Sequence, residues 1–147
     1  LDFEGTKQVA DALSIPVAAC EQDYDWYKFK WFAEQHGVDV MQPDVFYTGG
    51  LIRTLRIADL ASANSLPILP HSPKNDPVAG AMLHIVSLID LPGDFHEFRI
   101  EPAARESWYT PYLEISDGKV KVPGGSGLGF QYDPAFLQKS TVVWCNR

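Results

Sequence analysis

The sequence predicts an α/β fold built on a parallel sheet. Two observations carry that reading. Short apolar runs alternate with longer amphipathic segments along residues 3–99, with brief connections, the pattern of strands joined by crossover helices. The apolar runs are continuous rather than alternating, as expected of strands covered on both faces. With 147 residues, 46% hydrophobic and 21% charged, the chain is long enough for one domain with a sizeable core.

Each element follows in order. Residues 3–13 place Thr6, Val9, Ala10 and Leu13 on one helical face. Residues 15–20 (IPVAAC) read as a buried strand that tolerates Pro16 near its start. Residues 25–36 return to helical spacing, clustering Trp26, Phe29, Phe32 and Ala33, and Gly37 is the expected stop. Residues 38–42 (VDVMQ) form the second strand. Gly49-Gly50 opens a helix over 51–64 with Leu51, Leu55, Ala58 and Leu60 as its core; the glycine pair reads as a tight turn in preference to an anion cradle. Residues 66–69 form the third strand, 78–89 an almost wholly apolar helix, and 95–98 (FHEF) the fourth strand. Beyond residue 99 the pattern changes. Residues 112–122 read as a hairpin around Asp117-Gly118, and 123–129 as a flexible, glycine-rich loop.

Several function classes drop out. A net charge of -7 argues against a nucleic-acid surface. It leaves room for an anionic small-molecule substrate, because a bound cation reverses the local potential. No apolar run approaches the roughly 18 residues of a membrane span, so no membrane partner is expected. Two cysteines, Cys20 and Cys145, are too few for a disulfide framework and fit a reducing cytoplasm. The first residues lack the basic start and apolar stretch of a signal peptide, and there is no initiator Met, so a longer parent protein is expected.

One chemically capable polar residue closes each strand: Glu21, Asp44, His71 and Glu97, separated by 23, 27 and 26 residues. A β/α unit of a closed barrel takes roughly 30 residues, and active sites form at the C-terminal ends of barrel strands. The residue types fit roles there. A carboxylate at a strand mouth can ligate Mg²⁺. An Asp beside a His fixes its tautomer and orientation, and neighbouring strands lie about 4.8 Å apart, close enough for Asp44 and His71 to pair.

At these positions the sequence resembles the mandelate racemase branch of the enolase superfamily, in its acid-sugar dehydratases. The resemblance rests on residues 15–22 (IPVAACEQ), 38–50 (VDVMQPDVFYTGG), 67–72 (PILPHS), 81–86 (AMLHIV), 95–98 (FHEF) and the closing tract 117–129 (DGKVKVPGGSGLG). It implies that residues 1–99 are the C-terminal half of a (β/α)₈ barrel, strands five to eight. Residues 100–147 would then be an extension packing on the barrel and its capping domain. By resemblance Glu21 is a Mg²⁺ ligand, His71 the acid/base, Asp44 its orienter, and Glu97 the acid that hydrogen-bonds the substrate carboxylate. The implied reaction is removal of the proton α to a carboxylate, stabilisation of the enediolate on Mg²⁺, and loss of a β-hydroxyl from a sugar acid, in a homo-oligomer. The family's remaining ligands and its lysine-bearing strand would lie before Leu1, so the chain alone is expected to be inactive and prone to self-association.

The sequence departs from the family in two places. Cys20 stands where the family usually has Gly before the ligating Glu, and residues 72–77 (SPKNDP) are more charged than the family pattern. Other residues have plainer readings. His84 is expected to be a satisfied histidine of the core, His36 a helix-end residue complementing the dipole, and His96, alternating with Glu97, to face away from the barrel interior. Trp26, Trp31 and Phe32 read as helix packing, and Cys145 has no visible partner. Rival functions are a non-catalytic or truncated half-barrel, a racemase or epimerase of the same superfamily, and a zinc hydrolase, which would want further strand-end histidines than His71.

Overall fold

The computed structural model describes residues 2–100 and 108–141. Aspartate begins most of its helices. Asp2, Asp25, Asp44, Asp76 and Asp133 each cap a helix with a carboxylate that accepts a backbone N–H from the first turn. Such caps stabilise a helix start by about 1 kcal/mol. The resulting helices are α1 (Phe3–Ala12), α2 (Trp26–Gln35), α3 (Val45–Thr48), α5 (Pro77–Val86) and α6 (Pro134–Leu137). Helix α4 (Leu51–Ala63) instead starts at Gly50, with φ 113°, next to Gly49 at φ 95°. Those left-handed angles reverse the chain between α3 and α4, so the glycine pair is the tight turn expected. The single turn α3 was not anticipated; four residues are too few to show a helical period.

The sheet is parallel and follows sequence order. Strand β1 (Ala18–Ala19) pairs with β2 (Val40–Met41), Met41 bridges Ile68, and Ile68 bridges Pro92. The third strand shrinks to a bridge because Pro67 and Pro70 flank Ile68 and Leu69, and proline has no N–H to give a ladder. The expected fourth strand at 95–98 is a correction. Pairing falls earlier, where Leu91 O accepts from Ile68 N–H at 3.2 Å and Gly93 N–H donates to Ile68 O at 3.0 Å. A Pro-Gly pair hid this strand from pattern reading. The close approach needs Gly93, whose absent Cβ would sit 2.9 Å from Leu69 Cδ1. Glu97 therefore lies past the strand.

Phe29, Phe32 and Ala33 of α2, Ile57, Ala58 and Ala61 of α4, and Met82 and Ile85 of α5 pack with Met41 and Ile68 into one core. Trp31 and Phe32 meet edge-on at 5.4 Å and both contact the Phe3 ring, which is packing, as expected. Helix α4 buries Ala58 and packs Leu55 and Leu60 against the core, as expected, and adds Thr54, Ile57 and Ala61 to its buried face; Leu51 is exposed instead. A buried hydroxyl bond, Thr54 Oγ1 to Thr48 Oγ1 at 2.7 Å, turns that polar residue inward. Val9 and Leu13 on the presumed apolar face of α1, and Ile15 in the presumed buried strand, are exposed. Strand β1 pairs with β2 alone, so among the described residues no strand pairs along its other edge. Helix α2 ends with His36 at φ 47° rather than at Gly37. Gly37 is needed for space instead: a Cβ there would meet Phe32 Cδ1 at 2.6 Å.

Beyond the helices, β3 (Tyr109–Thr110) pairs antiparallel with β6 (Gln131–Tyr132), and β4 (Ile115–Ser116) with β5 (Lys119–Val120). Asp117 and Gly118, at φ 50° and 70°, make the two-residue hairpin turn expected. The 123–129 tract is folded back on itself, with Gly129 N–H donating to Ser126 O at 3.1 Å. His84 is partly buried and its Nε2 bonds Leu128 O at 3.2 Å, tying α5 to this tract. Cys145 and residues 101–107 lie outside the described residues.

Candidate functional site

Glu21, Asp44, His71 and Glu97 all come to one end of the sheet, around the His71 ring. The ladder sets their register: His71 N–H donates to Pro43 O at 3.0 Å, which brings the ends of adjacent segments level. Asp44 is buried. One carboxylate oxygen, Oδ1, caps α3 by accepting from Phe46 N–H at 2.7 Å. The other, Oδ2, lies 2.9 Å from His71 Nδ1. The cap thus fixes the carboxylate that orients the imidazole. At the far side of the ring, His71 Nε2 lies 3.1 Å from Glu21 Oε2 and 3.8 Å from Glu97 Oε2.

Glu97 is held by a contact that leaves no mark in the sequence. Ser72 N–H donates to Glu97 Oε2 at 2.9 Å, and Arg99 N–H donates to Lys74 O at 3.2 Å, stitching the segment after His71 to the one around Glu97. Pairing between two irregular loops leaves no periodic trace. Tyr47, at the turn beyond Asp44, is exposed.

As a donor set for a divalent cation, these residues are partial. Both Asp44 oxygens are engaged, and Glu97 Oε2 is bonded to Ser72. Glu21, with its side chain 47% exposed and Oε2 3.1 Å from His71 Nε2, keeps its other carboxylate oxygen open to a hard cation. Among the described residues no group of three His, Cys, Asp or Glu is arranged to hold a metal ion. These residues by themselves do not make up a donor set for Mg²⁺. The same observation speaks against a zinc site of three or four ligands within these residues.

Cys20, just before Glu21, is buried and has φ 91°. That left-handed conformation costs an L-residue roughly 1–2 kcal/mol and glycine almost nothing, which accounts for Gly being the family's usual residue here. Burial, and then the Asp23 charge, pushes the thiol up to about 12, so it stays protonated and inert near neutral pH. Cys20→Gly is expected to be more stable than Cys20→Ala by about 1 kcal/mol, the reverse of the usual order. Urea unfolding of the two variants checks this, and Ala above Gly would show that the backbone is not strained.

His96, expected on an alternating strand, lies instead in an irregular segment. Both of its ring nitrogens are buried with no hydrogen-bond partner among the described residues. Burial lowers its pKa from the ordinary 6.5, partly opposed by the Glu97 charge. Above about pH 6.5 the neutral ring leaves stability independent of pH, and below it stability falls until the pH has dropped through the depressed folded value. His96→Phe should raise stability by about 1 kcal/mol by removing unsatisfied polar atoms, and should flatten the acid side of the stability profile. Thermal melts between pH 5 and 8 measure both effects, and a variant that melts below the wild type throughout would exclude them.

Comparison with known proteins adds identity to this geometry. Residues 1–136 match the model of the family described as enolase C-terminal domain-like. The chain is 33% identical over 160 aligned residues to a D-galactonate dehydratase of Ralstonia nicotianae, covering 97% of this chain and 40% of that protein. It is 27% identical over 123 residues to an arabinonate dehydratase of Saccharolobus solfataricus, covering 84% and 33%. A solved structure from Roseobacter denitrificans, provisionally classed as a racemase, superposes with a TM-score of 0.87 at 34% identity, over 95% of this chain and 40% of that one. The chain thus spans two fifths or less of the length of these relatives. Among the described residues no helix is long and apolar enough to cross a membrane.

Proposed function

Because the chain belongs to the enolase C-terminal domain-like family, we propose that it supplies half of the active site of a Mg²⁺-dependent dehydratase acting on a sugar-acid carboxylate. In this reading its parallel segments are strands five to eight of a (β/α)₈ barrel, residues 1–99 forming the half-barrel. Residues 100–147 form the extension that packs on the barrel and on a capping domain. The whole enzyme is cytoplasmic and homo-oligomeric. The observation that carries the proposal is the His71 ring with Asp44 at 2.9 Å from Nδ1 and two further carboxylates at Nε2.

The roles follow from the geometry. Asp44 accepts the Nδ1 proton and so directs Nε2 toward the mouth, where it removes the proton α to the substrate carboxylate. Glu97, fixed by Ser72 N–H, donates a hydrogen bond to that carboxylate in its acid form, favouring the enediolate over the reactant. Mg²⁺, held by Glu21 and by ligands from the rest of the protein, would supply positive charge against the same carboxylate. The β-hydroxyl then leaves with a proton, so that water is the second product. Likeness to the Roseobacter protein favours one other reading, a racemase or epimerase, in which the proton returns to the opposite face and no water is lost. Incubating the complete enzyme with D-galactonate and arabinonate in D₂O separates them. Loss of the α-proton signal with appearance of a 2-keto-3-deoxy acid supports dehydration, whereas exchange with inversion and no keto acid supports racemisation. No α-exchange on any sugar acid would refute both.

A further inference from the structure

We propose that Lys74 is a specificity residue: its ammonium receives a second anionic group at the far end of the substrate, so that the site selects sugar acids charged at both ends. This rests on the dehydratase reading, in which Glu97 holds the first carboxylate. The register of two segments places Lys74. Ser72 N–H donates to Glu97 Oε2 at 2.9 Å, and two residues farther along each segment Arg99 N–H donates to Lys74 O at 3.2 Å. Both segments leave the sheet beyond its parallel bridge at Ile68 and Pro92, so the second tie lies outward of the first. Two residues of chain carry it outward by at most roughly 7 Å, a span comparable to the carbon chain of a sugar acid.

The ammonium is uncommitted. Lys74 is exposed, and among the described residues its side chain enters no ion pair. Lys7, Lys28 and Lys30, by contrast, lie 2.9, 3.1 and 3.6 Å from Asp11, Asp23 and Glu34. The acids close to Lys74 along the chain and across the tie have other work. Asp76 Oδ1 caps α5 by accepting from Val78 and Ala79 N–H, and Glu97 Oε2 accepts from Ser72 N–H. The Arg99 contact fixes the backbone, so an arriving anion has only the lysine side chain to order, which limits the entropy lost. Charge supplies the need. Glu21 and Asp44 flank His71 at 3.1 and 2.9 Å, and a dianion entering beside these acids is disfavoured at its far end unless a cation stands there. Lysine is a point charge that suits a terminal carboxylate or phosphate alike.

The test compares the complete enzyme with its Lys74→Gln and Lys74→Arg variants on matched sets of sugar acids. One set is D-galactonate, galactarate, in which a carboxylate replaces the terminal hydroxymethyl group, and D-galactonate phosphorylated at that group. The wild type should show a higher kcat/KM on one dianion than on the matching mono-acid, and which dianion it is identifies the anionic group. Lys74→Gln should lower that preference roughly tenfold, the low end for a hydrogen bond to a charged group, as befits an exposed side chain. Lys74→Arg should keep most of it. A preference untouched by Lys74→Gln, an equal fall on all members of a set, or a wild type that favours the mono-acids overturns the role of Lys74 while the dehydratase reading stands. Absence of α-proton exchange on every acid removes both.

Discussion

His71→Asn will stop exchange of the substrate α-proton with solvent in the complete enzyme. The asparagine amide can still donate to Asp44, so the fold around the capped α3 should persist; what disappears is the nitrogen that takes the proton. A positioned general base contributes roughly 10²- to 10⁴-fold, and a stabilised enediolate cannot form without proton removal, so the loss should lie at the top of that range. The measurement is decay of the α-proton signal in D₂O, with circular dichroism to establish that the variant is folded. Exchange within tenfold of the wild type would move the base to another group, the lysine implied for the missing part of the barrel being the first candidate. Asp44 offers a graded comparison, since its loss removes both a helix cap and the partner of Nδ1.

Residues 1–147 alone are expected to show no dehydratase turnover, and to associate. Mg²⁺ commonly takes six oxygen ligands, and the described residues offer Glu21 as the open donor. Removing even one strong electrostatic contact from a developing oxyanion costs on the order of a hundredfold, so a site lacking most of its donors should fall below detection. Association follows from uncovered surface. Ile15 is 66% exposed and Val9 54%, beside a strand that pairs on one side, and apolar surface next to an unpaired edge favours self-contact. Light scattering of the isolated chain and an assay across sugar acids with Mg²⁺ address both points; a monodisperse monomer with enzyme-like turnover would contradict them.

Most helix positions, the parallel order and the convergence of Glu21, Asp44, His71 and Glu97 were legible in the sequence, although the last of these lies past its strand rather than at its end. Periodicity marks α2 and α5, and even spacing marks Glu21, Asp44, His71 and Glu97. What escaped were features set by tertiary context. The burial of Thr54 depends on a Thr48–Thr54 hydroxyl pair, and polar residues in a helix are ordinarily read as its outer face. The fourth strand lay in a Leu-Pro-Gly run that local propensity assigns to a turn. The Glu21–His71 contact joins residues whose pairing no spacing rule anticipates. The resemblance carried the role assignments, while the residues themselves showed only that compatible chemistry comes to one end of a sheet.

The bridge at Pro92 makes the two margins of the parallel sheet chemically unequal. Leu91 O and Gly93 N–H point inward to Ile68, so the backbone positions of Pro92 between them point outward, and there proline offers a carbonyl but no donor. A newcomer strand at that margin would find its ladder interrupted at once. At the β1 margin Val17 and Ala19 turn their carbonyls to β2, and Ala18 between them carries an ordinary amide. Two copies meeting without other constraint should therefore join β1 to β1, as a two-fold pair that uses up the receptive margin of each. Growth would end at the dimer, with the proline margins turned outward as chemically silent ends.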